Sequence, residues 1–491
     1  MKSVIVIGSG FAGLSSASFL AKSGYDVTLL EKNDQLGGRA RVWETEGYKF
    51  DMGPSWYWMP DVFERYFEAF GYEVPELYEL IRLNPSYRVV FGPDEFEDQS
   101  ANMKELEAMF ERLDPGSSIR LQKFLKEAAY KYEVGIKDLV HKPSRSLLEF
   151  ADFRILKGLF QLDLLKDMRK HVAEVSTHPK LKAIMEFPVL FLGALPQNTP
   201  ALYSLMNYAD MSLGTWYPKG GMNKIIEAMV KVAKEQGVKF RTNAEVTGFK
   251  YSGDRIVGVT TKKGAFSADI VVAGADYHHV DQNVSAEDKR EYSEKYWEKR
   301  KMAPSSLLFY LGIKGEVPNV LHHNLFFDHE LDQHAAELYT TPQWPTKPLF
   351  YASAPSKTDK SITPEGCENM FLLMPTAPGL GGDTEEVREK YYNIMMDRLE
   401  QFTGSSIRDR VEVKRSFAFS DFKSEYNSFK GNAYGLANTI DQTAILKPRL
   451  KSKKVRNLYF AGQLTTPGPG VPPTLISGEV VSKEIAKDFK L

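Results

Sequence analysis

Three glycines carry the first chemistry legible in the chain. Gly8, Gly10 and Gly13 stand in the order G-x-G-x-x-G, directly behind the apolar run of residues 4–7. Such a run suits a parallel strand covered on both faces. The first glycine allows a tight turn, the second lets a pyrophosphate approach the backbone, and the third lets a helix lie close on the sheet. Small residues follow at Ala12, Ser15, Ser16 and Ala17, and the next strand-like stretch, "DVTLLE", ends in Glu31. That places an acid near the spacing of about 20 residues expected for a ribose contact. The unit predicts dinucleotide binding.

Little else could do covalent or acid–base work. The single cysteine, Cys367, excludes an internal disulfide framework and a thiolate metal cluster. His278–His279 and His322–His323 are adjacent pairs whose members would face opposite sides of a strand, so neither suggests a chelate. They are expected to be surface or satisfied polar residues, and no metal site is expected. No Ser–His–Asp triad can be read from the order of residues, and no G-x-S-x-G occurs. The 63 basic and 64 acidic residues leave a net charge of −1, which gives no field for nucleic acid. Chemistry must come from the bound cofactor.

Behind Glu31 comes "KNDQLGGRARVWETEGYKFDMGPS". Gly37 and Gly38 permit close backbone approach, and Arg39 can face a diphosphate or a flavin edge. This continuation, with its D-x-G-P-S element, resembles the glutathione-reductase-type flavoproteins of the amine oxidase and carotenoid desaturase branch. The resemblance implies FAD. It also implies contacts from Gly8, Ser9, Gly10, Phe11, Ala12, Gly13, Glu31, Lys32, Gly38, Arg39, Ala40, Gly53, Pro54 and Ser55. Further along, Val246 in the "AEV" strand is implied to pass the adenine, and Gly274 follows the apolar strand of residues 269–273.

The elements that must hold these residues are spread along 491 residues, too many for one core. Hydrophobic residues make up 43% and aromatics 12%, enough for a core and an apolar cavity besides. The expected fold is α/β. A glutathione-reductase-type FAD-binding Rossmann lobe is discontinuous in sequence, formed by residues 1–60, 215–285 and 420–491. Residues 61–214 and 286–419 are then insertions that make a mixed helical and β-sheet substrate lobe. The first insertion reads as mostly helical; "DVFERYFEAFGY" carries an apolar stripe with Asp61 as its cap and Gly71 as its stop. "SSLLFYLGI" and "NMFLLMPTAP" in the second read as apolar strands. Residues 222–236 read as a helix and "SGDR" as the turn of a β-ribbon. Within residues 145–172, Leu159 and Phe160 belong to an apolar stretch with Lys157, Lys166, Arg169 and Lys170, a composition that suits either a buried core helix or a helix lying on a membrane. No run of about 18 apolar residues predicts a spanning helix, and the N-terminus lacks a signal-peptide pattern.

Near the other end, "LYFAGQLTTPGPGVPPTLISG" follows a strand with a proline- and glycine-rich turn. Prolines stiffen the turn, and the free N–H groups of the helix behind it suit an electron-rich flavin pyrimidine. Gly462 is expected beside the ribitol–diphosphate chain, and Gly470, Val471 and Pro472 beside the flavin. Together with "GPSWYWMPDVFERYF" and "YPKGGMNKI", this stretch is similar to the bacterial, flavobacterial-type phytoene desaturases over essentially the whole chain. Amine oxidases generally hold an acid where Gln463 stands, which argues against amine oxidation.

That resemblance implies a long apolar polyene as substrate, dehydrogenated by hydride loss to the flavin and proton loss, with oxygen or a quinone as final acceptor. An apolar tunnel is expected from Trp56, Tyr57, Trp58, Met59, Phe187, Phe191, Leu195 and Trp216, with no catalytic side chain assigned. Burying a CH₂ is worth about 0.8 kcal/mol, so such a substrate stays in lipid. The enzyme is therefore expected in the cytoplasm, peripherally on the inner face of the membrane. Two other readings stay open: a carotenoid isomerase or later-step desaturase, and a non-redox prenyl escort, against which the intact glycine set speaks.

Overall fold

The computed structural model describes residues 1–146, 149, 166–190 and 193–491. Phe191, Leu159 and Phe160 lie outside the described residues, as does most of the apolar stretch around 145–172.

The chain begins with β1 (Ser3–Ile7), α1 (Phe11–Lys22) and β2 (Asp26–Leu30). It continues through α2 (Pro60–Glu68), β3 (Tyr87–Gly92) and β4 (Glu95–Gln99). After a helical region come α3 (Asn223–Glu235), β5 (Lys239–Arg241) and β6 (Ile270–Ala273). The second insertion supplies β7 (Ser305–Lys314), β8 (His323–Phe326), α4 (Leu331–Tyr339), β9 (Phe350–Ser353), β10 (Cys367–Thr376), α5 (Glu385–Thr403) and β11 (Val411–Phe417). β12 (Leu458–Phe460) and α6 (Val471–Asp488) close the chain.

Two sheets organise these elements. The first is parallel, in the order β12-β6-β1-β2-β5, so the first and last strands of the chain are separated only by β6. Strand β1 sits at its centre because Val4 and Val6 face one core while Ile5 and Ile7 face another. The second sheet runs β11-β7-β10-β9-β8-β3-β4. Its strands are antiparallel except for β8 and β3, which pair Asn324 with Arg88 and Phe326 with Val90 in parallel. That pairing joins both insertions into one sheet.

The structure corrects the helical reading of residues 61–215, since β3 and β4 lie within it. "YRVVFG" pairs with "EFEDQ" across a turn at Pro93–Asp94, and short strands hidden among helical segments give weak period-2 signals. Asp61 does not cap α2: the N-cap position is Met59, at φ 58°, and the Asp61 carboxylate accepts a hydrogen bond from the Tyr132 hydroxyl at 2.7 Å.

Helix α6 lies against α1 across small side chains. A Cβ on Gly478 would fall 2.5 Å from the Ala12 carbonyl oxygen, and the Ser15 hydroxyl donates to the Leu475 carbonyl at 2.8 Å. The two ends of the polypeptide are thereby locked side by side over the first sheet.

Candidate active site

The glycine loop is packed to backbone contact. A Cβ on Gly13 would lie 2.0 Å from the Gly8 carbonyl oxygen, and one on Gly274 would lie 2.9 Å from the Gly13 Cα. Gly10 is the opposite case: a Cβ there meets nothing within 4 Å. It is also the N-cap of α1 and offers no side-chain acceptor, so the first-turn N–H groups beside Phe11 and Ala12 are left for an anion. Glu31 closes the loop from β2. Its carboxylate accepts from the Ser9 N–H at 2.9 Å, the Ser9 hydroxyl at 2.6 Å and the Asn33 N–H at 2.9 Å. The Ala244 N–H donates to the Glu31 carbonyl at 2.8 Å, which sets Val246 two residues from that acid. Lys32 turns away to the Ser424 carbonyl.

Arg39 is the buried cation of the site. It donates to the Ser428 hydroxyl at 3.1 Å, while its Nε is buried without a hydrogen-bond partner. Burial presses its pKa down, and the nearby Asp276 carboxylate opposes that shift. Gly38, at φ 58°, backs onto Gly10, with a Cβ position 3.2 Å from the Gly10 Cα. Gly53 approaches the Arg39 carbonyl, and Asn223 Nδ2 donates to the Ala40 carbonyl at 3.0 Å. Behind Pro54, the Ser55 hydroxyl donates to Asp51, as does the Met222 N–H at 2.9 Å. Burial lifts Asp51 to about 6 against those hydrogen bonds.

The C-terminal turn completes the cradle. The Gly462 N–H donates to the Ser477 hydroxyl at 3.0 Å, and that hydroxyl donates to the Thr466 carbonyl at 2.8 Å, so α6 pins the turn at two points. Gly462 faces α1, its Cβ position 3.7 Å from the Ala12 Cβ. Gly470, at φ 105°, is the N-cap of α6, with Val471 and Pro472 in the first turn. Gly470 there avoids the strain an L side chain would meet. An open Gly10, a free helix start and a buried guanidinium Nε awaiting an acceptor all fit a dinucleotide with an extended ribitol–diphosphate chain.

An apolar cavity of about 80 Å³ lies in the second sheet's neighbourhood, lined chiefly by Phe187, Leu325, Leu338, Tyr351, Leu373 and Tyr434. Leu325 pairs with Tyr351, and Tyr351 with Leu373, so three adjacent strands present these side chains on one face. Trp56, two residues beyond Pro54, bridges cavity and cradle: its ring is 5.7 Å from Tyr351 and 6.2 Å from Phe187.

Of the residues expected to form a tunnel, Phe187 lines this cavity and Trp56 packs against its wall. Trp58 touches Phe187 from behind, at 6.3 Å, and donates through Nε1 to Thr215. Tyr57 is fully buried, stacked on Phe63 and bonded to Tyr78. Met59 and Leu195 are buried outside the cavity lining, and Trp216 bonds the Leu213 carbonyl beneath Arg82. The strand-borne residues Leu325, Tyr351 and Leu373 line the cavity and carried no sign of doing so beyond lying in apolar runs.

The second histidine pair departs from the expectation, whereas His278 and His279 are partnered polar residues, beside Glu294 and Asn427. His322 and His323 are 4% and 0% exposed, and both have an Nε2 without a hydrogen-bond partner. His323 stacks on Trp56 with centroids 4.1 Å apart, and its Nδ1 lies 2.6 Å from the Tyr351 hydroxyl. Burial holds His323 well below its usual pKa and brings His322 to about 3. His278 stacks on Phe429. Among the described residues no cluster of three metal-ligating side chains occurs.

Comparison with known proteins identifies the family. Residues 11–486 match the family described as flavin containing amine oxidoreductase. A carotenoid 3,4-desaturase of Haloarcula japonica is 40% identical over 99% of this chain and 98% of its own. A zeta-carotene-forming phytoene desaturase of Myxococcus xanthus is 31% identical over 98% of this chain and 93% of its own. An oxidoreductase structure from Methanosarcina mazei superimposes with a TM-score of 0.64 at 15% identity, covering 98% of this chain and 100% of that one. With its glycine cradle, its buried arginine and these relatives, the chain belongs to the flavin-containing amine oxidoreductase family, in the carotenoid desaturase branch, and its cofactor is FAD.

Proposed function

We propose that the protein introduces a double bond into a long carotenoid, with phytoene, desaturated toward lycopene, as the substrate. FAD, when bound, supplies the hydride acceptor. The cradle residues named above, from Gly8 to Ser55 and at Val246, Gly274, Gly462 and Gly470–Pro472, hold it. The carrying observation is the cavity: side chains of Phe187, Leu325, Leu338 and Leu373 wall it, and Trp56 joins it to the Gly53–Ser55 turn. Such walls bind a hydrocarbon by shape and exclude water from it. A second reading, 3,4-desaturation of an already conjugated carotenoid, is favoured by the Haloarcula japonica relative.

Delivery follows from the substrate. Lipid tails are as apolar as this cavity, so transfer between them is nearly neutral, whereas passage through water is not. The protein therefore works on the inner face of the cytoplasmic membrane, through the apolar segment around residues 145–172, and passes electrons to oxygen or a quinone. No helix among the described residues is long and apolar enough to cross a membrane.

The decisive experiment is anaerobic incubation of flavin-loaded protein with phytoene, or with lycopene, in liposomes, quinone added or withheld. New conjugation in the phytoene arm supports the first reading, new conjugation only in the lycopene arm supports the second, and none in either arm refutes both. Liposome co-sedimentation unchanged by charging Leu159 and Phe160 would refute the docking segment.

A further inference from the structure

Desaturation removes a hydride and a proton from neighbouring carbons. A bound flavin would take the hydride, and the positive charge left spread over the polyene would make the adjacent C–H strongly acidic. Even a weak base suffices, provided that it stands in the dry cavity. His334 lines the cavity but is committed: its Nδ1 accepts from the Leu349 N–H at 3.0 Å, and its Nε2 donates to the Pro375 carbonyl at 3.1 Å. Tyr351 lines the same cavity with its hydroxyl joined to His323 Nδ1 at 2.6 Å.

The burial of the pair has a cost that packing alone does not explain. A buried polar atom left unpaired costs about 1–3 kcal/mol, and His322 and His323 each leave Nε2 in that condition. Their rings are 4.3 Å apart, and the His322 Nδ1 lies 2.8 Å from the Thr358 hydroxyl. Trp56 clamps His323 by stacking on its ring. The charged groups that act on this cluster are Asp51, on Tyr351, and Asp359, on His322.

Resting on the desaturase reading, we propose that Tyr351 accepts the substrate's proton while passing its own to His323. The C–H bond breaks, its electron pair becomes the new π bond, and its proton goes to the Tyr351 hydroxyl oxygen. The original hydroxyl proton moves to His323 Nδ1, leaving an imidazolium with protons on both nitrogens. When the product leaves and water enters the cavity, the Nδ1 proton returns to the Tyr351 oxygen and that hydroxyl gives a proton to water, a reset driven by the burial that keeps His323 neutral at rest. Tyr351 is the catalytic residue of the pair and His323 its positioning and relay partner.

The test compares reconstituted wild-type, Tyr351→Phe and His323→Gln holoenzymes on phytoene and lycopene in liposomes. Tyr351→Phe should keep its flavin absorbance and KM and lose about 10²-fold in kcat, the ordinary scale of a lost proton acceptor. A primary deuterium effect at the carbon that loses its proton should appear in this variant and be small in the wild type. His323→Gln can accept the hydroxyl's bond but cannot take its proton, and should fall comparably. In ¹⁵N-histidine-labelled protein, His323 should be neutral with an accepting Nδ1, and Tyr351→Phe should shift that resonance. A Tyr351→Phe rate within twofold of an active wild type, a slow rate with no isotope effect, or an unmoved His323 resonance would overturn the assignment alone. A flavin-bound wild type inert on both carotenoids would overturn the desaturase reading and this assignment with it.

Discussion

Glu31 and Ser9 are joined twice: one carboxylate oxygen of Glu31 accepts from both the backbone N–H of Ser9, at 2.9 Å, and its hydroxyl, at 2.6 Å. The end of β2 thus holds the glycine loop in shape before any ligand arrives. Glu31→Ala leaves the Ser9 and Asn33 N–H groups without their acceptor, which should cost about 1–3 kcal/mol of stability. FAD titration should weaken in parallel; urea unfolding and flavin fluorescence check both.

Gly13→Ala tests the packing beneath the loop. Its Cβ would lie 2.0 Å from the Gly8 carbonyl oxygen, so the helix must lift off the strand. Overpacking of this kind costs about 1–3 kcal/mol, and the purified variant should emerge without bound yellow flavin. Full flavin content would contradict the cradle.

Lys447 gives a pH signature. It is buried beside the C-terminal turn, with Asn438 Oδ1 as its acceptor at 2.6 Å, and burial lowers its pKa to about 7. Between pH 7 and the unfolded value near 10.5 the unfolded chain binds more protons at this site, so its contribution to stability rises with pH. Lys447→Met removes the group. The stability difference favouring the variant should therefore be largest at pH 7 and narrow by pH 9, as read from urea unfolding at both. A difference that stays constant would refute a charged-state penalty.

Leu373→Trp fills the cavity from the sheet side, since Leu373 lies across from Tyr351 on the neighbouring strand. Flavin binding should be unaffected because the cradle is elsewhere, while carotenoid turnover should fall at least tenfold in a liposome assay. Normal turnover would place the substrate in another channel.

The backbone shape of the glycine loop and the C-terminal turn was legible because its logic is local. Gly8, Gly10, Gly13 and Glu31 fall within one β-α-β unit, and Gly462 and Gly470 within one turn, so spacing alone reports the backbone shape required. The buried His323 was not legible, because an adjacent pair of histidines says nothing about which face of β8 meets the core. Strand β7 is buried at every position from Ser305 to Ile313, and runs with no polar face conceal which side chains line a space.

By itself, then, the chain's order of residues determined where backbone could approach a diphosphate, and it made an apolar substrate lobe between the cofactor-binding pieces an expectation. Only the tertiary structure decided the apolar cavity. Phe187, Leu325, Tyr351, Leu373 and Tyr434 come from distant parts of the chain, and strand register with helix packing brings them around one space. Register is a long-range property: a shift of one residue would turn Tyr351 away from His323, and no nearby residue type records that choice.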